Sequence, residues 1–213
     1  LSLLEQFELG GVIGSKPETL SQGERSRLAV ALGMACRAQI LIMDEPLLGI
    51  DDLAARRYWK LLGDYCRSHN VSLIFASHDP EVVIREAEHL ICLDRGAIAY
   101  TGTVRELYDT PPSRELATFL GPVNAVPQAD SEAWLGTTSQ DEWLLRPERI
   151  LIEPEESGRC VVEDVRFGGS LEEVRLRTLS RNLEGTFYHR PPRPRLTRGM
   201  TVAIRLLLIW ILC

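Results

Sequence analysis

Apolar and polar positions along this chain fall into two textures, and the change comes near Gly121-Pro122. Up to that point helical and strand patterns follow one another, which predicts a parallel α/β layout. A helix is predicted from Gln22 to Ala38, then the strand Gln39-Ile40-Leu41-Ile42-Met43. Asp51 or Asp52 is placed to cap a further helix, in which Leu53, Leu61, Leu62 and Tyr65 share a core-facing side. VSLIFAS, residues 71–77, reads as a short strand ending in Ser-His-Asp-Pro, and Pro80 suits the first turn of a helix reaching His89. LICLD and AIAYTG, divided by Arg95-Gly96, predict a hairpin. TVRELYD and SRELATFLG are short helical stretches on either side of Pro111-Pro112.

After Gly121-Pro122 the segments WLLRP, RILIE, CVVEDVRF, EEVRLRTL and MTVAIRLLL alternate or run apolar between turn residues. That pattern predicts a small all-β unit of barrel type. The stretch HRPPRPR, residues 189–195, is basic and proline-rich and reads as a solvated loop. The closing TVAIRLLLIWILC is broken by Arg205 and falls short of the roughly 20 apolar residues of a membrane span. It reads as a buried strand or an irregular end.

Composition narrows this picture only a little. The 213 residues, 45% apolar and 25% charged, suffice for one large or two modest soluble domains. Lys plus Arg total 24 against 30 Asp plus Glu, and the net charge of -6 argues against a surface that coats nucleic acid. Five cysteines, an odd number without a C-x-x-C pair, fit reduced thiols in a cytoplasm. The opening LSLLEQFELGG lacks the basic flank of a signal peptide.

Two short stretches carry chemistry. In ETLSQGERSRLAV, residues 18–30, Ser21 can cap a helix and Glu24 can close a capping box, with Gly23 leaving the first turn open to a close neighbour. Free N–H groups and the helix dipole make such a start an anion site, and a phosphate is the anion suggested. Yet the chain holds no G-x-x-x-x-G-K-[ST] loop. The second stretch is Asp44-Glu45-Pro46 at the end of ILIM. Adjacent carboxylates at the C-terminal end of a buried strand lie where α/β sheets place their ligands. One can hold Mg²⁺, usually through water, while the next polarises an attacking water. Taken alone, such a pair more often simply begins a surface loop.

In order, LSQGE, a helix, ILIMDEP, LLGID and a strand ending in His78 resemble the ATP-binding-cassette (ABC) ATPases. The resemblance covers residues 1 to about 121. It implies the α/β fold of a P-loop NTPase, with ATP and Mg²⁺ as cofactors. On it, Ser21, Gln22, Gly23 and Glu24 form the family signature, Asp44 is the metal-binding Walker B carboxylate and Glu45 the general base. Asp51 lies in the D-loop, and His78 is the switch histidine toward the γ-phosphate. Such cassettes work as head-to-tail dimers, so the signature turn would close over ATP held by a second ATPase subunit. The signature departs from the usual LSGGQ at Gln22 and Glu24, and the D-loop lacks its common serine. A side chain at position 22 is expected to restrict the turn. The P-loop, the adenine-stacking aromatic and the Q-loop glutamine, which belong upstream of LSQGE in the family, are not in this sequence. A fragment cut inside the helical subdomain is the simplest expectation, and such a chain should hold ATP poorly.

The stretch GTVRELYDTPPSRELATFLGPVNAV, then LLRPERI and VEDVRFGGSLEEVRL, resembles the end of importer-type cassettes and their accessory β-barrel, the TOBE domain. On that resemblance residues 1–121 are the C-terminal portion of the ATPase domain and residues 122–213 a TOBE-like domain. Arg166 with Gly168, Gly169 and Ser170 would line a small oxyanion pocket, or else form a turn with a surface arginine. The implied protein is an importer ATPase at the cytoplasmic face of the cell membrane, bound to transmembrane permease subunits and not to nucleic acid. The alternative is a non-catalytic regulatory or assembly partner that kept signature and barrel. A soluble cassette protein acting on ribosomes or DNA fits the acidic balance less well.

Overall fold

The computed structural model describes residues 2–191 and 195–207, and the chain divides into two units, Leu1–Glu86 and Ala87–Cys213. In the first, α1 (Leu3–Gln6) precedes α2 (Gln22–Ala35), β1 (Ile40–Asp44), α3 (Asp52–His69), β2 (Ser72–Ala76) and α4 (Pro80–Glu86). β1 and β2 pair in parallel, from Ile40 opposite Ser72 to Asp44 opposite Ala76. Parallel strands need a long crossover, and α3 supplies it. The core of this unit gathers Phe7, Val30, Met34, Leu41, Tyr58, Trp59 and Leu62, with Phe7 stacked on Tyr58 at 5.2 Å.

Among the described residues, only one face of the parallel pair is covered. Leu41 is buried and Leu73 and Phe75 half-buried, whereas Ile40, Ile42 and Ile74 are 55%, 78% and 55% exposed. Buried parallel sheets ordinarily carry helices on both faces, so these β-branched side chains stand out.

Several predicted elements shift. α2 stops at Ala35, three residues early, and Arg37 already takes a left-handed φ of 52°. There the Tyr65 hydroxyl donates to Met34 O at 2.7 Å. Asp51 does cap α3, and Leu62, Leu61 and Tyr65 do face the core, but Leu53 is 81% exposed. The inward stripe runs Ala54, Tyr58, Leu61, Leu62, Tyr65. Leu53 stands about 100° off it by helical geometry. α4 ends at Glu86 because His89 already belongs to the next strand.

The second unit opens with the hairpin β3 (His89–Asp94) and β4 (Ala97–Thr103). Its turn residues Arg95 and Gly96 both have positive φ, 46° and 80°, as a tight hairpin requires. Thr103 then makes a capping box with Glu106 at α5 (Val104–Asp109), and Ser113 caps α6 (Arg114–Thr118). β5 (Asn124–Val126) pairs with β6 (Trp143–Leu145). Between them lies a short helix, α7 (Ser131–Leu135), that the alternating pattern does not announce. β7 (Ile150–Pro154), β8 (Cys160–Phe167), β9 (Glu172–Thr178), β10 (Glu184–His189) and β11 (Thr201–Leu206) form one antiparallel sheet in the order β10-β9-β8-β11-β7. Its inner face closes over a core that includes Ile152, Val162, Val174, Leu176, Phe187 and Val202, with Trp134 of α7 against Phe187.

Arg146 ties this unit together from inside, at 2% exposure. Its Nε donates to Tyr108 O at 3.0 Å, and Nη1 donates to Gly121 O and Pro122 O at 3.2 and 3.3 Å. The guanidinium also lies over the Tyr108 ring, 4.2 Å from its centre.

Arg166 faces two carboxylates, Asp164 at 3.5 Å and Glu173 at 3.7 Å, beside a turn in which Gly169 has φ 86°. Of the two readings of Gly168-Gly169-Ser170, the turn with a surface arginine is the one formed. The predicted solvated loop at 189–195 is corrected at its start: His189 is fully buried at the end of β10, because its side chain follows Phe187 onto the core side. Residues 192–194 of that stretch and the end 208–213 lie outside the described residues.

Candidate functional site

Ser21 leaves the chain extended (φ -62°, ψ 163°) and begins α2 with the predicted capping box. Ser21 Oγ accepts the Glu24 N–H at 3.3 Å, while Glu24 Oε2 accepts both the Ser21 N–H and its hydroxyl at 2.7 Å. These bonds hold the Glu24 carboxyl below the ordinary glutamate value. The Ser21 hydroxyl proton is therefore committed within the turn. The N–H groups of Gln22 and Gly23, first in the helix, have no acceptor inside it.

The loop after β1 packs directly against this turn. A Cβ on Gly23 would meet Gly49 O at 3.2 Å, and one on Gly49 would meet the Gln22 side chain at 3.0 Å. Ser26 Oγ donates to Leu48 O at 2.8 Å across the same contact. Gln22, expected to restrict the turn, lies over the bare backbone of Gly49, whose φ of 80° suits glycine alone. Asp51 caps α3 by accepting the Ala54 N–H at 3.0 Å, so its carboxylate is used locally.

At the C-terminal ends of β1 and β2 a second group forms. Glu45 N–H donates to Ala76 O at 3.0 Å, extending the parallel ladder by one residue. Its φ of 44° then turns the chain out of the strand. The Glu45 carboxylate accepts three bonds from the end of β2. Oε1 takes the His78 backbone N–H at 2.9 Å and the His78 ring at 2.5 Å, and Oε2 takes the Ser77 hydroxyl at 3.3 Å. A carboxylate only accepts, so His78 Nδ1 carries the proton and Nε2 is left for another partner.

Burial pushes the Glu45 carboxyl upward, but the His78 ring and backbone outweigh it and leave it below the ordinary value. The bond to Glu45 in turn raises the His78 imidazole above its ordinary value. The ion pair is thus present between those two values. It is lost as pH rises through the His78 value or falls through that of Glu45. Because the His78 side chain is 79% exposed, the pair serves orientation more than stability.

Asp44, the neighbouring residue, is exposed, and its carboxylate makes no hydrogen bond or ion pair with the described residues. A free carboxylate at a strand end suits Mg²⁺, which keeps several waters and needs only one or two protein carboxylates. No cluster of three or more His, Cys, Asp or Glu exists among the described residues. The structure therefore brings Glu45 and His78 together, and sets Gln22 and Gly23 against Gly49. Asp44 stands beside Glu45 in the chain without touching a partner, and Asp51 serves as a helix cap.

Sequence reasoning missed Ser77, which bonds Glu45, and Ser26, which bonds the loop after β1. Each is a serine in an ordinary polar position. For Ser77 the only signal was its place between a strand and His78.

A family model described as ABC transporter matches residues 2–48, the stretch holding the Ser21–Glu24 turn, β1 and the Asp44-Glu45 pair. Asp51 and His78 lie beyond that match. The chain is 31% identical over 159 residues to a sulfate/thiosulfate import ATP-binding protein of Thermosynechococcus vestitus, covering 75% of this chain and 47% of the relative. It is 28% identical over 190 residues to an Fe(3+) ions import ATP-binding protein of Photobacterium profundum, covering 80% and 54%. A spermidine/putrescine import ATP-binding protein of Bacillus thuringiensis is 26% identical over 162 residues, covering 76% and 48%. The chain spans about half the length of these relatives. Its α/β unit followed by an antiparallel sheet is the predicted fold class. No helix among the described residues is long and apolar enough to cross a membrane.

Proposed function

We propose that this chain is part of the ATP-hydrolysing subunit of an importer, acting at the cytoplasmic face of the membrane with a second ATPase subunit and transmembrane permease subunits. The relatives are import ATP-binding proteins for sulfate, iron and polyamines. They support a small inorganic ion or a polyamine as the solute, and a sugar is a further class within the proposal. Residues 122–213 are its TOBE-like accessory domain.

The observation that carries this reading is the Glu45 carboxylate, turned out of β1 and held by Ser77 and His78 at the end of the parallel strand. Such holding fixes a general base in place before a water reaches it. Asp44 is free to hold Mg²⁺ through water, and the bound ion supplies neutralising charge for the phosphates. His78 keeps Nε2 available for a phosphate oxygen while Nδ1 orients Glu45. The N–H groups of Gln22 and Gly23 offer uncharged donors to a phosphate held by the second subunit.

In the full-length protein Glu45→Gln is expected to lower ATP turnover by roughly 10²- to 10⁴-fold. ATP-driven dimerisation should survive. Unchanged turnover would remove Glu45 from the role.

One observation favours a non-catalytic partner instead: the Ser21 hydroxyl is already bonded to Glu24. On that reading the full-length protein binds no nucleotide of its own, which equilibrium binding of a labelled ATP analogue decides.

A further inference from the structure

Within the second unit, two buried titratable side chains stand apart from all the chemistry above. Glu172 opens β9, His189 closes β10, and the antiparallel register sets them directly opposite each other. Both point inward: Glu172 shares its face with Val174 and Leu176, and His189 shares its face with Phe187. Their exposures are 3% and 0%. His189 Nε2 lies 3.7 Å from Glu172 Oε2, beyond hydrogen-bond length. Neither ring nitrogen of His189 nor Oε2 of Glu172 has a hydrogen-bond partner among the described residues.

The other charged groups on the elements around β10 are engaged elsewhere or point away. On β9, Glu173 faces Arg166, Arg177 bonds Glu163, and Arg175 is exposed. On the turn 147–149, Glu148 accepts from Tyr108 and Arg149 bonds Asp109, while Arg146 just before it binds carbonyls. On β7, Glu153 pairs with Arg205. β5 carries no charge, and its Asn124 bonds the backbone of Tyr188 on β10. His189 therefore answers to its burial and to Glu172.

We propose that His189, buried opposite Glu172, is a proton-operated release for the β9–β10 end of this sheet, closed while its imidazole is neutral and loosened when the ring takes a proton. Charging an imidazole inside an apolar core is unfavourable, and burial pushes His189 down to about 4. Glu172 stands too far off to accept a bond from the ring. Once β10 opens, the ring returns to an ordinary value of about 6.5, so the open form binds the proton more tightly. The closed form accordingly keeps its full stability above about 6.5 and loses it as pH falls toward 4. Among the described residues β10 is an edge strand whose ladder partner is β9, so release breaks that ladder and the two bonds between Asn124 and the Tyr188 backbone. Local opening of this kind needs no global unfolding.

The test is an NMR titration of the four histidine rings in the whole chain, with His189 assigned by His189→Gln, combined with β10 amide exchange corrected for intrinsic rates. The His189 ring is expected to hold its neutral shifts down to about pH 5. The open population of β10 should rise roughly 50-fold more between pH 7 and pH 4.5 in the native chain than in His189→Gln. A ring that titrates near 6.5, or β10 opening with the same pH dependence in both chains, overturns the proposal. Glu172→Gln leaves His189 in place and should keep the acid-induced opening even if His189→Gln fails to fold. Loss of the opening in Glu172→Gln assigns it to the carboxylate and also overturns the proposal.

Discussion

The two units solve the burial problem to different degrees. The antiparallel sheet of the second unit closes its inner face over Ile152, Val174, Leu176 and Val202, each without measurable exposure. The parallel pair of the first unit covers one face and leaves Ile40, Ile42 and Ile74 open. Yet the first unit holds the candidate catalytic groups, at the ends of those same half-covered strands. Chemistry at a strand end depends on local turns and on a few hydrogen bonds from the neighbouring strand, not on a completed core. The second unit has the converse character, well packed and without a cluster of metal-ligating side chains among its described residues.

Substitutions at matched positions sharpen that contrast. The largest stability effect is expected for Leu176→Ala in the second unit, a loss of about 2–5 kcal/mol read from the denaturant midpoint. A loss below 1 kcal/mol would mean that this core is looser than its burial indicates. Next comes Gly49→Ala against Gly169→Ala. Both glycines have positive φ, but only Gly49 has a side chain, Gln22, within contact of the added methyl. Each should cost about 1–2 kcal/mol from backbone strain. Gly49→Ala should cost more and also lower turnover of the full-length protein, and equal effects would show that Gln22 simply moves aside. The smallest change is expected for Ile42→Thr, within about 0.5 kcal/mol because the side chain already meets solvent. A large loss there would show the open face to be covered in solution.

Much of this was legible where the signal is local. The Ser21–Glu24 capping box, the Asp51 cap and the Arg95-Gly96 hairpin turn all follow from residues a few positions apart, and all three form. Leu53 shows the limit of apolar counting. It is one residue off the stripe through Ala54 and Tyr58, and one residue on a helix is 100°. His189 shows another limit, because a basic, proline-rich neighbourhood says nothing about a strand partner seventeen positions earlier. The site divides the same way. Glu45 and His78 could be named, through the resemblance they complete, but their bond at 2.5 Å and the part of Ser77 depend on the β1–β2 register, which periodicity does not encode.

The buried Arg146 has a consequence for exchanging modules between relatives. Its guanidinium is held by the carbonyls of Tyr108, Gly121 and Pro122 and by the Tyr108 ring. A chimaera joined at residue 121 would bring a cation evolved for one set of carbonyls against the helices of another parent. Joined instead between α4 and β3, at the boundary Glu86–Ala87, the graft would carry the cation and every one of its acceptors together.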